Sequence, residues 1–538
     1  MRYPLSYPVL LSALVGAVCI DTIRAAPPFA RRSAPTVTLD NGTFIGTNDI
    51  ITGTNKFLGI PFAQPPVGDL RFRLPVANDP YSGTHEATAF GPACPQQSTT
   101  LPGLSGLPAE TVQFIEENLV NVIEPQSEDC LSLNVWQPVG VASDAKLPVV
   151  AWIFGGGFED GSPNIYDGGL IVQQSVRLGE PVIYVSMNYR VSAFGFLASQ
   201  EVKDAGVANL GLQDRQYEFQ SMNVFKYISA FGGDPTKVTI WGESAGAISV
   251  ALHLVANGGD SEGLFRGAFM ESGSPIPVAD VTDGQGDYDA LVQETGCQGS
   301  ADTLECLRQV PFNTLMAAVN KSPGIFAEQS LKLAWLPRAD GTFITDAPQQ
   351  LVLQDKVVNV PFVTGQVRDY ISSNYIPAAS ASDLDQLLTL YPQDPSQGSP
   401  YDTGILNALT PQFKRLASMQ GDLVFQGPRR FFLQQRSSKQ KTWSFLSKRL
   451  KGLPVLGSVH ASDLLSAYGQ IDLTDYIINF VNNLDPNGPS VPEWPQYSTS
   501  SPQLLTLLDG LVPITITQDT YRAEPMAFIQ QLALAHPL

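Results

Sequence analysis

The chain has 538 residues, of which 43% are hydrophobic, and a formal net charge of −19 at pH 7. This acidic balance argues against a nucleic acid as partner, and a charged fraction of only 15% argues against a disordered chain. Histidines are rare and no Cys-x-x-Cys spacing occurs, so we expect no metal ion. No cofactor is expected either. One basic run, Lys439 to Lys451, is interpreted as the solvated face of a helix.

The N-terminus predicts secretion. Arg2 precedes an apolar run from Val9 to Ile20, and Ala25-Ala26 forms a small-residue cleavage site. The apolar run is too short to span a bilayer. We therefore expect a signal peptide over residues 1–25, an extracellular location and a single catalytic domain with long insertions over residues 34–538.

The first predicted element of the mature chain is a β-hairpin. Residues Thr36 to Ile60 alternate between apolar and polar types around Asn41-Gly42, a dipeptide typical of tight hairpin turns. Asn41 also begins a sequon, as does Asn320, so both are candidate glycosylation sites in a secreted protein.

Four cysteines remain once Cys19 is removed with the signal. An even number suits an oxidising compartment, and four cysteines allow three pairings. The four are Cys94, Cys130, Cys297 and Cys306. Between the first two, apolar residues at helical spacing predict a helix with one apolar stripe, formed by Val112, Ile115, Leu119 and Val122.

Buried strands then alternate with helical stretches. Continuous apolar runs occur at Val149 to Phe154, Pro181 to Met187 and Phe265 to Glu271, and a further strand is predicted at Val357 to Gly365. This alternation favours a mostly parallel sheet with crossover helices. The first run ends in three consecutive glycines, but the lysine of a phosphate-binding loop is absent.

Ser244 lies between Gly242 and Gly246, where a predicted strand, Val238 to Trp241, meets a predicted helix, Ala245 to Ala256. A serine between two glycines at a strand-to-helix turn is the pattern of a nucleophile elbow. In a chain with 46 glycines the same pattern could be an ordinary glycine-rich turn. The strand before it and the helix after it favour the elbow.

Two segments, Glu128 to Val135 and Phe231 to Gly246, resemble the signatures of the type-B carboxylesterase/lipase family, which includes the cholinesterases. Later segments, such as Leu409 to Arg415, are similar to its branch of fungal secreted lipases and esterases. The resemblance implies an α/β-hydrolase fold, with a mostly parallel central sheet flanked by helices and long insertions. It also implies a secreted carboxylic ester hydrolase that acts through a serine acyl-enzyme on small-molecule or lipid esters, with transient contact to a lipid interface.

The same resemblance assigns several residues. The backbone amides of Gly156, Gly157 and Ala245 would form the oxyanion hole. The disulfides would be Cys94–Cys130 and Cys297–Cys306, and two structural ion pairs would join Arg71 to Glu128 and Arg190 to Asp214. Residues 95–129 would include a lid tethered by the first disulfide. A packed surface helix is the alternative for that segment.

A serine nucleophile needs a base, and His460 is the candidate among four histidines. The segment Gly457 to Leu464 resembles the family's histidine loop. His253 lies on the helix after the elbow, His85 precedes the serine against the usual order of the triad, and His536 is near the terminus.

The acid of the triad departs from the family pattern. The family has a glutamate after the strand that corresponds to Pro361 to Gly365, whereas here the strand runs into Asp369 and then Tyr370. The chain looks as if roughly twenty residues were missing between these two. Asp369 is the candidate acid. Asp463 is interpreted as orienting the histidine loop, and Glu243 as tuning the field at the nucleophile. The alternative is a catalytically impaired, cholinesterase-like binding protein, or a defective gene model lacking the acid-bearing segment.

Overall fold

A large twisted sheet organises the computed structural model, which describes residues 33–98, 107–118, 124–219, 224–325, 327, 333–367 and 380–537. Within these residues, eleven strands pair in the order β14-β13-β12-β11-β10-β9-β7-β8-β6-β4-β3, and three pair in the order β1-β2-β5. Their bounds are β1 Thr36–Leu39, β2 Asn41–Ile45, β3 Thr47–Asp49, β4 Thr54–Pro61, β5 Ser82–Glu86, β6 Ser132–Pro138, β7 Leu147–Ile153, β8 Ile183–Met187, β9 Gly233–Glu243, β10 Gly267–Glu271, β11 Phe362–Val367, β12 Thr442–Ser447, β13 Gln503–Leu507 and β14 Ile514–Gln518.

Helices cover both faces of this sheet. Their bounds are α1 Ala109–Asn118, α2 Gly168–Arg177, α3 Ser192–Phe196, α4 Gln200–Asp204, α5 Leu210–Tyr217, α6 Val224–Tyr227, α7 Ala245–His253, α8 Gln285–Glu294, α9 Thr303–Gln309, α10 Phe312–Val319, α11 Pro348–Leu353, α12 Ala381–Leu390, α13 Phe413–Gln420, α14 Gly427–Arg436, α15 Leu464–Ala467, α16 Asp472–Asn483 and α17 Ala523–Ala535. A π-helical turn, Gly421–Gln426, joins α13 to α14. Of the described helices, none combines the length and the apolar character that a membrane span requires.

The central strands are parallel, which fixes where a site can form. Strands β8, β7, β9, β10, β11, β12 and β13 pair in parallel, while β14 and the β6, β4 and β3 edge pair antiparallel. Parallel strands end at one edge of a sheet, and ligands of α/β sheets bind outside that edge. We call the edge where these seven strands end the catalytic edge.

Successive side chains of the central strands pack alternately into two apolar cores. In β7, Val149, Ala151 and Ile153 pack into one apolar cluster, and Val150 and Trp152 pack into the other, as the two-residue period of a strand dictates. The first cluster includes the apolar residues of α7. The second includes α2, α16 and a layer of buried tryptophans, Trp136, Trp152, Trp241, Trp443 and Trp494.

The two structural ion pairs are confirmed. Arg71 donates to both carboxylate oxygens of Glu128, at 2.6 and 2.8 Å, and Arg190 does the same to Asp214, at 2.8 and 2.6 Å. The cysteines join as Cys94–Cys130 and Cys297–Cys306, which is consistent with the expected pairing.

Some local predictions were wrong or displaced. The first hairpin turns at Asp40, which has a φ of 49°, so Asn41 and Gly42 already belong to β2. The basic run Lys439 to Lys451 is not a helix face, because its centre is the fully buried strand β12. The predicted signal peptide, and the stripe residues Leu119 and Val122, lie outside the described residues.

Candidate active site

Ser244 lies on a sharp turn between β9 and α7, at the catalytic edge. Its φ of 54° and ψ of −124° fall where non-glycine residues are rarely found, as expected of a strained nucleophile elbow. Two hydrogen bonds hold the turn: Ser244 N donates to Glu271 O at 2.9 Å, and Ile248 N donates to Ser244 O at 2.8 Å.

The two flanking glycines are required by the packing around this turn. A Cβ at position 242 would lie 2.5 Å from the carbonyl carbon of Gly246, and a Cβ at position 246 would lie 2.0 Å from Ile153 O. Both distances are far inside van der Waals contact with backbone atoms. The glycines therefore let the strand, the helix and β7 approach one another at the serine.

His460 is within hydrogen-bond distance of the serine. Its Nε2 lies 2.8 Å from Ser244 Oγ, and its ring packs against Phe425 of the π-helical turn, with the ring centroids 5.0 Å apart. Burial lowers the pKa of His460 to about 4, although 26% of the side chain stays exposed. A histidine that is neutral at physiological pH can accept the proton of a serine hydroxyl.

The glycine loop after β7 lies directly against the nucleophile. A Cβ at Gly155 would be 2.9 Å from Ser244 Cβ, which shows how closely the loop approaches. The next two residues, Gly156 and Gly157, have φ angles of 112° and 62°, and their amides donate to no acceptor among the described residues. Ala245 is the first residue of α7, where amides lack a helical acceptor. These three amides are thus available to a ligand.

Three buried carboxyl groups surround the elbow, a grouping that was not predicted from the sequence. Glu243 Oε1 lies 3.5 Å from His460 Nε2, Glu271 Oε1 accepts from Trp241 Nε1 at 2.6 Å, and Asp463 Oδ2 accepts from Ser272 Oγ at 3.2 Å. Burial, together with repulsion from Asp463, holds the pKa of Glu243 and of Glu271 well above the usual range. Burial also raises the pKa of Asp463 to about 6. The sequence feature that could have predicted part of this grouping is that Glu243 and Glu271 are the last residues of β9 and β10, which are neighbours in the sheet.

None of these three carboxyls takes the place of the triad acid. Glu243 faces Nε2, the nitrogen that already meets the serine, and not Nδ1. Among the described residues, none makes a hydrogen bond with His460 Nδ1. Asp369, the candidate from the sequence, follows the end of β11 and lies outside the described residues.

Other candidate residues have other surroundings. His253 is buried beside Phe219 and Phe343, and burial lowers its pKa to about 3. His85 lies on β5, and its Nε2 is 2.8 Å from Ser82 O. Across the described residues, no group of three or more His, Cys, Asp or Glu side chains is placed to hold a metal ion.

The glycosylation and lid candidates are partly described. Asn41 is exposed on β2, and Asn320 is exposed while its Oδ1 accepts from Ser98 N at 2.8 Å. Within the segment proposed as a lid, α1 is bonded to the chain that precedes His460, because Thr111 Oγ1 donates to Pro454 O at 2.7 Å. Ile115 of α1 is buried.

Comparisons with known proteins find relatives that match most of this chain. The sequence profile of the carboxylesterase family matches residues 33–387. Lipase 4 of Diutina rugosa is 43% identical over 506 residues, covering 87% of this chain and 90% of that protein. Secreted triacylglycerol lipase of Gibberella zeae is 38% identical over 545 residues, covering 94% and 92%. The crystal structure of EstA from Aspergillus niger superposes with a TM-score of 0.79 at 27% identity, covering 94% of this chain and 99% of that one.

Proposed function

The chain belongs to the carboxylesterase family, has the α/β-hydrolase fold and hydrolyses carboxylic esters, and we propose that it does so through Ser244 as nucleophile and His460 as base. The observation that carries this assignment is the 2.8 Å approach of His460 Nε2 to Ser244 Oγ at a strained turn of the catalytic edge. A serine and a histidine in hydrogen-bond contact form the minimal unit of nucleophilic acyl transfer.

In the first half of the reaction, Ser244 Oγ attacks the ester carbonyl carbon while its proton passes to His460 Nε2. The tetrahedral intermediate then collapses, the bond to the alcohol oxygen breaks, and His460 returns the proton to the leaving alcohol. In the second half, a water molecule gives its proton to His460 and attacks the acyl carbon. The carboxylic acid leaves and Ser244 regains its proton.

The amides of Gly156, Gly157 and Ala245 are proposed to hold the oxyanion. Their support is that they lie on the loop and the helix that meet at Ser244 and that they have no acceptor among the described residues. Removal of one such donor typically costs about 3–4 kcal/mol of transition-state stabilisation.

Asp369 is proposed as the residue that orients His460 through Nδ1. It follows β11, which is two strands away from β9 in the sheet and ends at the same edge. Since an orienting carboxylate also stabilises the imidazolium, its loss lowers turnover by about four orders of magnitude in a well-studied protease. We expect Asp369→Asn to lower kcat strongly. Insertion of an Asp-Glu-Gly-Thr segment after Asp369 tests whether a missing glutamate limits the rate.

The wider assignment rests on the relatives. Some of them are named as secreted lipases, which supports an extracellular enzyme. We also propose a cleaved signal over residues 1–25 and a single domain over residues 34–538. The relatives' names as lipases also support water-insoluble esters as substrates, which the enzyme would bind at a lipid interface. We further propose glycans on Asn41 and Asn320, and a lid within residues 95–129 tethered by Cys94–Cys130.

The decisive experiment is covalent labelling. A fluorophosphonate probe should modify Ser244 of the secreted protein, and peptide mapping should place the adduct there. Ser244→Ala should abolish both the label and the hydrolysis of p-nitrophenyl butyrate. His460→Gln should lower the labelling rate without moving the adduct. A label that persists in Ser244→Ala would contradict the assignment.

A further inference from the structure

Two loop tips expose apolar side chains to an unusual degree. One is the 405 tip, Ile405 and Leu406, and the other is the 511 tip, Leu511 and Val512. The four side chains are 67–103% exposed. Exposed apolar side chains in neighbouring positions are typical of sites that meet a partner.

Both tips lie at the catalytic edge. The 511 tip connects β13 to β14, and β13 runs parallel to β12, so the tip stands where the parallel strands end. The 405 tip is attached to residues 448–457, the segment that follows β12 at the same edge, because Val455 N donates to Asn407 Oδ1 at 3.0 Å. Asp509 accepts from the amides of Leu450 and Lys451 at 3.1 and 3.2 Å. One segment, which leads directly to His460, therefore holds both tips.

The 405 tip is held in place and is not a loose loop. The buried Lys414 side chain donates from Nζ to Thr403 Oγ1 and Gly404 O, both at 2.8 Å, and to Leu406 O at 3.2 Å. At the 511 tip, Leu508 N donates to Pro513 O at 2.8 Å and closes the turn. The fold thus holds both apolar pairs outward, although water is an unfavourable environment for them.

The charges beside the tips are paired. Asp402 lies 3.5 Å from Lys448 Nζ and 3.6 Å from Lys451 Nζ, and Arg449 pairs with Asp472 at 2.5 Å. With Asp509, which accepts from two amides of this segment, three carboxylates face its three cations, so the segment between the tips carries little uncompensated positive charge. An anionic surface binds through unpaired cations. The pairing therefore favours an uncharged apolar partner.

We propose that the 405 tip and the 511 tip together dock the enzyme on the surface of an uncharged ester-lipid droplet. This inference rests on the proposed function, since it takes an insoluble ester as the substrate. Immersion of the four side chains removes apolar area from water and brings the catalytic edge against the droplet. Helix α1 is bonded to the same segment through Thr111 and Pro454, so this helix would lie near the droplet as well.

The chain supplies a matched control for this proposal. Ile50 and Ile51, which are 93% and 84% exposed, form the turn between β3 and β4. Strand β4 is antiparallel to β6, which is antiparallel to β8, so β4 runs in the direction of β8 and begins at the edge opposite Ser244. This pair has the same chemistry and exposure but faces away from the site.

The experiment measures binding and turnover separately. Droplet binding is measured by flotation with a triolein emulsion in the Ser244→Ala background, which excludes hydrolysis. Turnover is measured with soluble p-nitrophenyl acetate and emulsified triolein in the active background. The variants are Ile405→Ser with Leu406→Ser, Leu511→Ser with Val512→Ser, all four together, and Ile50→Ser with Ile51→Ser as control.

We expect the fourfold variant to bind droplets at least tenfold less than the parent and to lose triolein turnover to a similar extent. Each single-tip variant should have values between those of the parent and those of the fourfold variant. The control variant should match the parent. Hydrolysis of p-nitrophenyl acetate should stay within twofold. Equal losses in the control, or unchanged binding by the fourfold variant, would overturn the proposal. So would a dimer of the parent that dissociates in the tip variants, because the tips would then join two copies. Failure of the proposed function would instead appear as inactivity of the parent on both esters, with droplet binding unaffected.

Discussion

Gly246 shows how a single missing methyl group permits the catalytic turn. Alanine at this position would drive its Cβ into Ile153 O, at 2.0 Å. We expect Gly246→Ala to destabilise the fold by about 3 kcal/mol and to abolish activity, because β7 or α7 must move. Gly286→Ala is the control, since a Cβ there meets no atom within 4 Å at the start of α8. It should leave stability unchanged or raise it by up to about 1 kcal/mol. Thermal unfolding distinguishes the two, and equal behaviour would contradict the steric argument.

His460 provides a test of the missing acid through its pKa. The described surroundings hold this pKa at about 4, because burial disfavours the charged imidazolium. An ionised carboxylate at Nδ1 would favour the imidazolium and raise the pKa. The base works only when neutral, so activity falls below the pKa. If Asp369 acts as proposed, kcat/KM on a soluble ester should fall at a midpoint above pH 4, and Asp369→Asn should move that midpoint towards pH 4. Identical profiles for the two proteins would exclude Asp369.

The two disulfides constrain loops of different length, which predicts different contributions to stability. Cys94–Cys130 spans 36 residues of sequence and Cys297–Cys306 spans 9. In the chain-entropy account, a longer closed loop removes more freedom from the unfolded chain, here by about 1 kcal/mol more. Replacing each pair by serine should therefore destabilise more strongly at Cys94 and Cys130. Denaturant unfolding of the two double variants measures the difference. The reverse order would indicate that local packing, and not loop length, decides.

The buried carboxyls predict how the stability of the whole molecule depends on pH. Burial raises the pKa of Glu159 and of Glu218 to about 8, far above the value in an unfolded chain. Between about pH 4.5 and pH 8, each group keeps its proton in the folded protein and loses it in the unfolded chain. Its contribution to the free energy of unfolding is therefore complete below about pH 4.5 and is lost as the pH rises to 8. Stability should thus increase on acidification from pH 8 to 6.5, by roughly 1.4 kcal/mol per pH unit for each group.

Removal of one such group checks the slope. Neither oxygen of Glu218 has a hydrogen-bond partner among the described residues, and the side chain is fully buried, so Glu218→Gln removes a titrating group at nearly constant volume. Chemical unfolding at several pH values should show a flatter dependence and a more stable protein at pH 8. Below pH 6.5, His253 and His460 lower the stability as the pH falls. Burial lowers their pKa in the folded protein, so the unfolded chain binds protons at a higher pH than the folded protein does. An unchanged slope in Glu218→Gln would contradict this account.

Short-range geometry was predictable from the sequence, and contacts between distant segments were not. The elbow could be recognised because local steric contacts require its two glycines. The fold could be predicted from the alternation of strands and helices together with the family resemblance. The association of Glu243, Glu271 and Asp463 depends on strands that end at one edge, which no local pattern reports. The buried strand β12 was hidden because lysines and an arginine flank Thr442–Ser447 in the sequence. The first hairpin turns at Asp40 and not at Asn41-Gly42, where the turn was expected.

The buried tryptophan layer gives the active site an optical reporter. All six tryptophans of the chain are at most 1% exposed. Trp241 packs against Trp152 with centroids 4.4 Å apart, and its indole N–H donates to Glu271, next to the elbow. A proton lost from Glu271 places a negative charge 2.6 Å from that nitrogen, which should shift the emission of the native protein. A fluorescence titration should therefore show a transition above the usual carboxyl range that Glu271→Gln removes, so that the emission of the buried tryptophans reports the charge beside the nucleophile.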